Sequence, residues 1–197
     1  MKKLLILSLL ILFFGCTNKK PESIIIAILP LALEDERHYI IEDIKKSIEE
    51  NKQFNVIVLV ESEMPKSAWY EPRKRYRADE ILRHLKKNKP DSVDYIFALT
   101  SVDISTTKDG KKDWGIFGLG YQPGVASVVS LFRLGKNKKL FNQRVLKITK
   151  HELGHNFGLS HCKNSKLCVM NSAEGSIKTV DRVNNIYCKK CQKLLSN

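Results

Sequence analysis

Two things are absent from this 197-residue sequence: it has no low-complexity run and no internal repeat. With 43% hydrophobic residues, its length suits one domain with its own core. Cysteine is scarce, five in all, and four of the five fall in the carboxy-terminal quarter. Long apolar runs are missing too, because the run at the start, Leu4 to Phe14, is too short to span a bilayer as a helix. Charge is not scarce, since 34 Lys and Arg against 21 Asp and Glu give a formal net charge of +13. The basic residues are nevertheless spread along the chain with acids among them, and no nucleic-acid recognition motif accompanies them. Nucleic acid is therefore not an expected partner, and the basic excess suits a protein lying near anionic lipid headgroups.

The beginning of the chain is not part of the expected core. MKKLLILSLLILFFGC carries two lysines, the apolar run, and a small residue ahead of Cys16, which reads as an export signal over residues 1–15. Because a Cys stands at the expected cleavage point, the segment resembles a bacterial lipoprotein signal. That resemblance implies an acylated Cys16 and a lipid anchor to membrane in the bacterial cell envelope, on the periplasmic or extracellular side. Phe13 and Phe14 are bulkier than the residues usual there, and an ordinary cleaved signal or an uncleaved anchor are the alternatives. Thr17 to Glu22 then read as a short polar tether, so that Cys16 and tether together make residues 16–22. Removing Lys2 and Lys3 with the signal takes the net charge from +13 to +11.

From Ser23 the pattern becomes regular. Ile24 to Leu29 is a continuous apolar run, as in a strand buried on both faces, and Pro30 helps to end it. Between Glu34 and Lys52, Ile40, Ile41, Ile44 and Ile48 recur at helical spacing, with Asn51 as a stop. Phe54 to Val60 is expected to be a second buried strand, Tyr76 to Lys87 a second helix on Ala78, Ile81, Leu82 and Leu85, and Val93 to Leu99 a third strand. This alternation implies parallel strands joined by right-handed crossovers, with a helix layer covering the sheet. Trp69, Tyr70, Arg73, Tyr76 and Arg77 form an aromatic and basic segment for which capping of the core by Trp69 and Tyr70 from a loop is one reading, and His38 and His84 on the covering helices read as non-ligands.

Thr106 to Asp113 is turn-rich and expected to be an exposed loop. The strand predicted from Trp114 to Tyr121 carries Gly115, Gly118 and Gly120, which weaken a central strand but suit one whose backbone is closely approached. Val125 to Leu134 is the last predicted strand, and a basic turn, Gly135 to Lys139, leads into a helix from about Leu140 to Phe157. On that helix Gln143, Lys147, Lys150 and Gly154 form a solvent-compatible stripe, while Val145, Leu146, Thr149, Leu153 and Phe157 form a packing flank. Val180, Val183, Ile186, Leu194 and Leu195 mark a final helix, Ile177 to Leu195, carrying Cys188 and Cys191.

The third side of the long helix carries the chemistry. Residues four apart lie one turn above each other, so His151 and His155 aim two imidazoles at one point, where a zinc ion would sit. Glu152 projects beside that point, not as a ligand but within reach of a water's proton, the place of a general base. His161 supplies the third ligand if the chain reverses after His155, and Gly158 allows that reversal. A bare His-Glu-x-x-His also occurs on charged, solvated helix faces, but Gly158 and His161 at their offsets argue against that bland reading.

The extended pattern resembles that of the metzincin metalloproteases, which also carry a Met in a turn beneath the metal, and Met170 is placed for it. Cys162 follows His161 directly, Cys168 stands two before Met170, and Cys188 and Cys191 follow after 17 intervening residues. This order is similar to that of the archaemetzincin family, except that KNSKL puts five residues between Cys162 and Cys168 where the family pattern has four. The resemblance covers roughly Ile24 to Cys191.

The resemblance implies an α/β (α+β) metzincin-like catalytic domain over residues 23–197. Its parts would be a twisted, mixed, mostly parallel sheet with an antiparallel edge strand, covering helices, an active-site helix, a Met-turn and a C-terminal helix. It implies two zinc ions per chain: a catalytic one on His151, His155 and His161, and a structural one on Cys162, Cys168, Cys188 and Cys191. Read from the residues alone, two disulfides in an oxidising compartment are the alternative for those cysteines. By analogy with metzincins, Phe117, Gly118, Leu119 and Gly120 would form the edge to which a substrate peptide adds as one more strand.

The implied activity is peptide-bond hydrolysis by water activated at the zinc, with Glu152 taking the proton and passing it to the leaving amine. The rival is a non-catalytic, zinc-stabilised envelope lipoprotein that binds peptides or envelope components. Retention of Glu152 argues against it, because a purely structural zinc needs no carboxylate there. Endopeptidase and aminopeptidase both stay open, since nothing identifiable captures a free amine. About seven residues between Cys16 and the first strand leave no room for an inhibitory pro-segment with a zinc-blocking Cys.

Overall fold

The computed structural model of the protein describes residues 23–195. The expected export signal, the acylated Cys16 and the tether lie outside the described residues. In chain order the elements are β1 (Ile24–Pro30), α1 (Tyr39–Glu49), β2 (Phe54–Val58), β3 (Trp69–Tyr70), β4 (Arg75–Arg77), α2 (Ala78–Asn88) and β5 (Tyr95–Thr100). There follow β6 (Ile104–Lys108), β7 (Lys111–Ile116), β8 (Gly118–Gly120), β9 (Ala126–Ser130), α3 (Lys138–Asn156), α4 (Ile177–Arg182) and α5 (Lys189–Leu195). Among the described residues no helix is long and apolar enough to cross a membrane.

The main sheet has the order β2-β1-β5-β9-β8. β1 pairs with β2 and β5 in parallel, β5 with β9 in parallel, and β8 closes the edge antiparallel to β9. This is the mixed, mostly parallel sheet with an antiparallel edge that the sequence implies. The chain steps from β1 outward to β2 and then back across β1 to β5, so right-handed crossovers put α1 and α2 on opposite faces. The single covering layer expected from the sequence is therefore two. Successive strand residues alternate between faces. Ile26, Ile28, Phe97, Leu99 and Val129 pack with the isoleucines of α1 and with Phe141, Val145 and Leu153 of α3. Ala27, Ile96, Ala98 and Val128 pack with Ile81, Leu82 and Leu85 of α2.

Other expectations are corrected. β2 is an outer strand that ends at Val58; only Val56 on it is buried, and Val60 is 91% exposed. The helix expected from Tyr76 starts at Ala78, because Arg75–Arg77 pair as a strand. Trp69 and Tyr70 do not cap the core: they form β3 in a second sheet, order β3-β4-β6-β7, with Trp69 edge-on to Tyr76 at 5.0 Å. The loop expected over Thr106 to Asp113 is the hairpin β6–β7, turned by Asp109 and Gly110, both at positive φ (49° and 77°) as a tight hairpin turn requires. The strand expected from Trp114 to Tyr121 divides at Phe117, its first part in the second sheet and its last part, β8, in the main one. His38 sits just before α1 against Glu61, at 3.2 Å, and neither it nor His84 joins a ligand cluster.

Candidate metal centre

α3 is started by Asn137, whose side chain accepts from the Leu140 N–H at 3.1 Å. Its other end closes with Gly158 N–H donating to His155 O at 2.8 Å and Leu159 N–H to Gly154 O at 2.9 Å, with Gly158 at φ +93°. The reversal returns His161 to the helix, its ring centroid 5.3 Å from that of His151 and 4.9 Å from that of His155. One nitrogen from each of the three histidines lies within 4.8 Å of the others.

Backbone carbonyls fix how two of these rings present themselves. His151 Nδ1 donates to Val169 O at 2.8 Å and His155 Nδ1 donates to Leu159 O at 2.7 Å. Both Nε2 atoms are then bare lone pairs, and they face each other at 3.1 Å. Burial lowers both imidazoles, His151 to about 3, which disfavours a proton shared between them. Two acceptors so placed need a cation. Tetrahedral zinc with nitrogens at 2.0–2.1 Å spaces them by about 3.3 Å, and the donor set fits it.

Glu152 is buried, and burial alone raises its carboxyl to about 8. Gly118 of β8 lies directly against it: a Cβ there would stand 2.7 Å from Glu152 Oε1. Gly120 is as close to the helix backbone, 2.7 Å from Glu152 O on the same measure. The outer edge of β8, Glu152 and the three histidines border a cavity of about 340 Å³.

Met170 is fully buried beneath the helix, and a Cβ on Gly154 would come 2.5 Å from its Sδ. Gly154 is thus covered, contrary to the solvent-facing stripe expected. So are its neighbours on that stripe: Lys147 donates to Val180 O and Asp181 O, both at 3.1 Å, and Lys150 to Asn185 O at 3.0 Å. Burial lowers both ammonium groups from the usual lysine range. Lysine stems lie along apolar surface while their heads reach carbonyls, so a charged stripe need not face water.

The four cysteines converge as well. Cys162 Sγ and Cys188 Sγ are 3.7 Å apart, Cys168 Sγ and Cys191 Sγ 3.8 Å, and all four sulfurs lie within 4.8 Å. A disulfide needs about 2.05 Å, whereas four sulfurs at 2.3 Å from one zinc stand about 3.8 Å apart. The thiols are free and fit the metal. Asn164 N–H points to Cys162 Sγ at 3.4 Å and Cys188 N–H to Cys168 Sγ at 3.3 Å, donors that favour thiolate. The single final helix expected is two, α4 and α5, because the chain between them leaves the helical path and pairs with the segment around the Met-turn. There Asn184 N–H donates to Leu167 O at 2.8 Å and Val169 N–H to Ile186 O at 3.0 Å. Ile186, Leu194 and Leu195 are exposed, not core. The two clusters meet at Val169, which follows Cys168 and whose carbonyl orients His151.

Some supports were not foreseen. Asn156 Nδ2 donates to Tyr121 O at 3.0 Å and Ala126 O at 2.9 Å, tying the β8–β9 loop to α3, and Tyr187 Oη donates to Lys150 O at 2.7 Å. Only the position of Asn156 directly after His155 hinted at such a role.

A model of peptidase family M54 matches residues 16–197. An archaemetzincin from Halobacterium salinarum is 33% identical over 148 residues, 70% of this chain and 81% of that protein. The crystal structure of archaemetzincin from Methanopyrus kandleri aligns with a TM-score of 0.79 at 27% identity, covering 91% of this chain and 97% of that one. The structure from Archaeoglobus fulgidus, complexed with malonate, aligns at 0.74 and 28% identity, over 87% and 99%. Sequence and fold together place the chain in peptidase family M54, the archaemetzincins, and it is accordingly a zinc metallopeptidase.

Proposed function

We propose that His151, His155 and His161 hold the catalytic zinc of this peptidase, that Cys162, Cys168, Cys188 and Cys191 hold a second, structural zinc, and that Glu152 is the general base. The observation that carries the reading is the pair of facing Nε2 atoms at 3.1 Å, an arrangement that a shared cation makes favourable. Zinc held there supplies an electrophile that acidifies water and polarises the scissile carbonyl. Glu152 takes the water's proton on its carboxylate and hands it to the leaving amine, and burial, which raises that carboxyl to about 8, makes it a stronger base than an exposed carboxylate. Val169 O and Leu159 O hold their histidines in the tautomer that leaves Nε2 free. β8, paired on one side only, offers its other side to an extended peptide over Phe117, Gly118, Leu119 and Gly120.

The test is Glu152→Gln. The variant should keep its zinc and its affinity for peptide while hydrolysis falls by at least about a hundredfold; turnover close to wild type would contradict the role.

Gly15-Cys16 after the apolar run supports acylation of Cys16 and a lipid anchor in a bacterial envelope membrane. Labelled palmitate should enter wild-type protein and not Cys16→Ser, and equal labelling of both would refute the anchor.

A further inference from the structure

An ion pair bridges two walls of the cavity over the metal ligands. Lys108, at the end of β6, reaches from the wall formed by the second sheet and β8 to Glu174, on the segment after Met170, and pairs with it. Glu174 is steadied from its own side by Ser172 Oγ, which donates to Oε1 at 2.6 Å. Beside the pair, the Trp114 ring lies on Gly175, where an added Cβ would be 3.4 Å from Cζ2, and Lys108 Nζ stands 5.6 Å from that ring's centroid. Glu174 and Gly175 both take positive φ (48° and 72°), which turns this segment up towards the hairpin. Lys108, Trp114, Glu174 and Gly175 line the same cavity as His151 and Glu152.

We propose that this strap selects substrates by their topology: short peptides and free chain ends enter lengthwise beneath it, while an internal loop of a longer chain is excluded until it opens. Lys108 and Glu174 are then specificity-determining residues. The inference rests on the peptidase reading above and narrows it to a class of substrate. The physical reason is geometric. A loop lowered into a covered groove would have to pass both of its arms through the cover, whereas an end has nothing to pass. The cover is also easy to lift, since Lys108 and Glu174 are 35% and 65% exposed and such a pair shifts an equilibrium by about fivefold at most.

The experiment compares a linear peptide with its head-to-tail cyclic form, in a ring large enough to present an extended segment. Wild-type protein should cleave and bind the linear form preferentially. Lys108→Ala and Glu174→Gln should each raise the cyclic-to-linear ratio by about fivefold. High salt should raise the ratio for wild type and leave the variants unmoved, because it screens the same pair. A wild-type ratio near one, or a ratio unmoved by both variants, would overturn the proposal. Binding of the fluorescently labelled forms is followed in parallel by anisotropy. If the linear form binds in preference but neither is cleaved, the peptidase reading fails while the strap stands; equal binding of both forms overturns the strap whatever the turnover.

Discussion

Gly118 and Glu152 touch across the edge of the sheet, with no space between them for even a methyl group. β8 and the buried carboxylate are therefore positioned by one contact. Gly118→Ala should push the Glu152 carboxylate aside and lower kcat by roughly tenfold or more, since small misplacements of a catalytic group are costly. Gly118 is not among the glycines at positive φ, so the loss would be steric and not backbone strain. Zinc content measured on the same sample should be unchanged; a variant with full activity would mean the carboxylate has room to spare.

Gly154 makes the equivalent contact on the other side of α3. An alanine inside a helix is ordinarily more stable than glycine by about 1 kcal/mol. Here its methyl would stand 2.5 Å from Met170 Sδ, and overpacking of that kind costs about 1–3 kcal/mol. Thermal unfolding should show Gly154→Ala less stable than wild type. Combining it with Met170→Ala should cost less than the sum of the two single changes, because the clash disappears with the sulfur.

Arg144 ties α3 to α4 by donating to both oxygens of Asp181, each at 2.7 Å, and to Leu134 O at 2.6 Å. The hydrogen bond from Arg144 holds the Asp181 carboxyl below its ordinary value of 3.8. A depressed folded-state pKa stabilises the protein above the unfolded value, and that stability is lost as pH falls through the depressed one. Asp181→Asn should therefore be less stable than wild type near neutral pH, by about 1 kcal/mol or less because the Asp181 side chain is 36% exposed, with the gap closing in strong acid. Melting curves of both proteins across pH give the answer.

The cysteine cluster holds the Met-turn, and through Val169 O the orientation of His151. Chelation should therefore expose four thiols to a thiol reagent and lower the melting temperature. Cys188→Ser should cost more stability than His155→Ala, because a structural zinc contributes folding energy directly. Absence of reactive thiols after chelation would indicate disulfides.

What could be read from the sequence follows from where one local rule decides the outcome. Ile26, Ala27 and Ile28 of the apolar run and the four isoleucines of α1 are buried as their patterns dictate, the run serving both faces of the sheet and the isoleucines one core. His151 and His155 obey helix geometry alone, and with His161, returned by the reversal at Gly158, their ring nitrogens come within 4.8 Å of one another. Lys147 and Lys150 deceived, since what covers them is a segment more than 30 residues later in the chain. β6 and β7 carry only Ile104, Trp114 and Ile116 as apolar residues among polar ones, too few to show the alternation of a half-buried strand, although Asp109-Gly110 is a strong hairpin signal. The break between α4 and α5 leaves no periodic trace, because the pairing of Asn184 and Ile186 with the Met-turn is tertiary. The strap between Lys108 and Glu174 was illegible for the same reason.

Zinc content per chain, measured on purified wild-type protein and on His155→Ala, tests the two-metal account most directly. It should give two zinc ions for the wild type and one for the variant, with peptide hydrolysis lost. Zinc content indifferent to His155 would contradict the assignment of a metal to His151, His155 and His161.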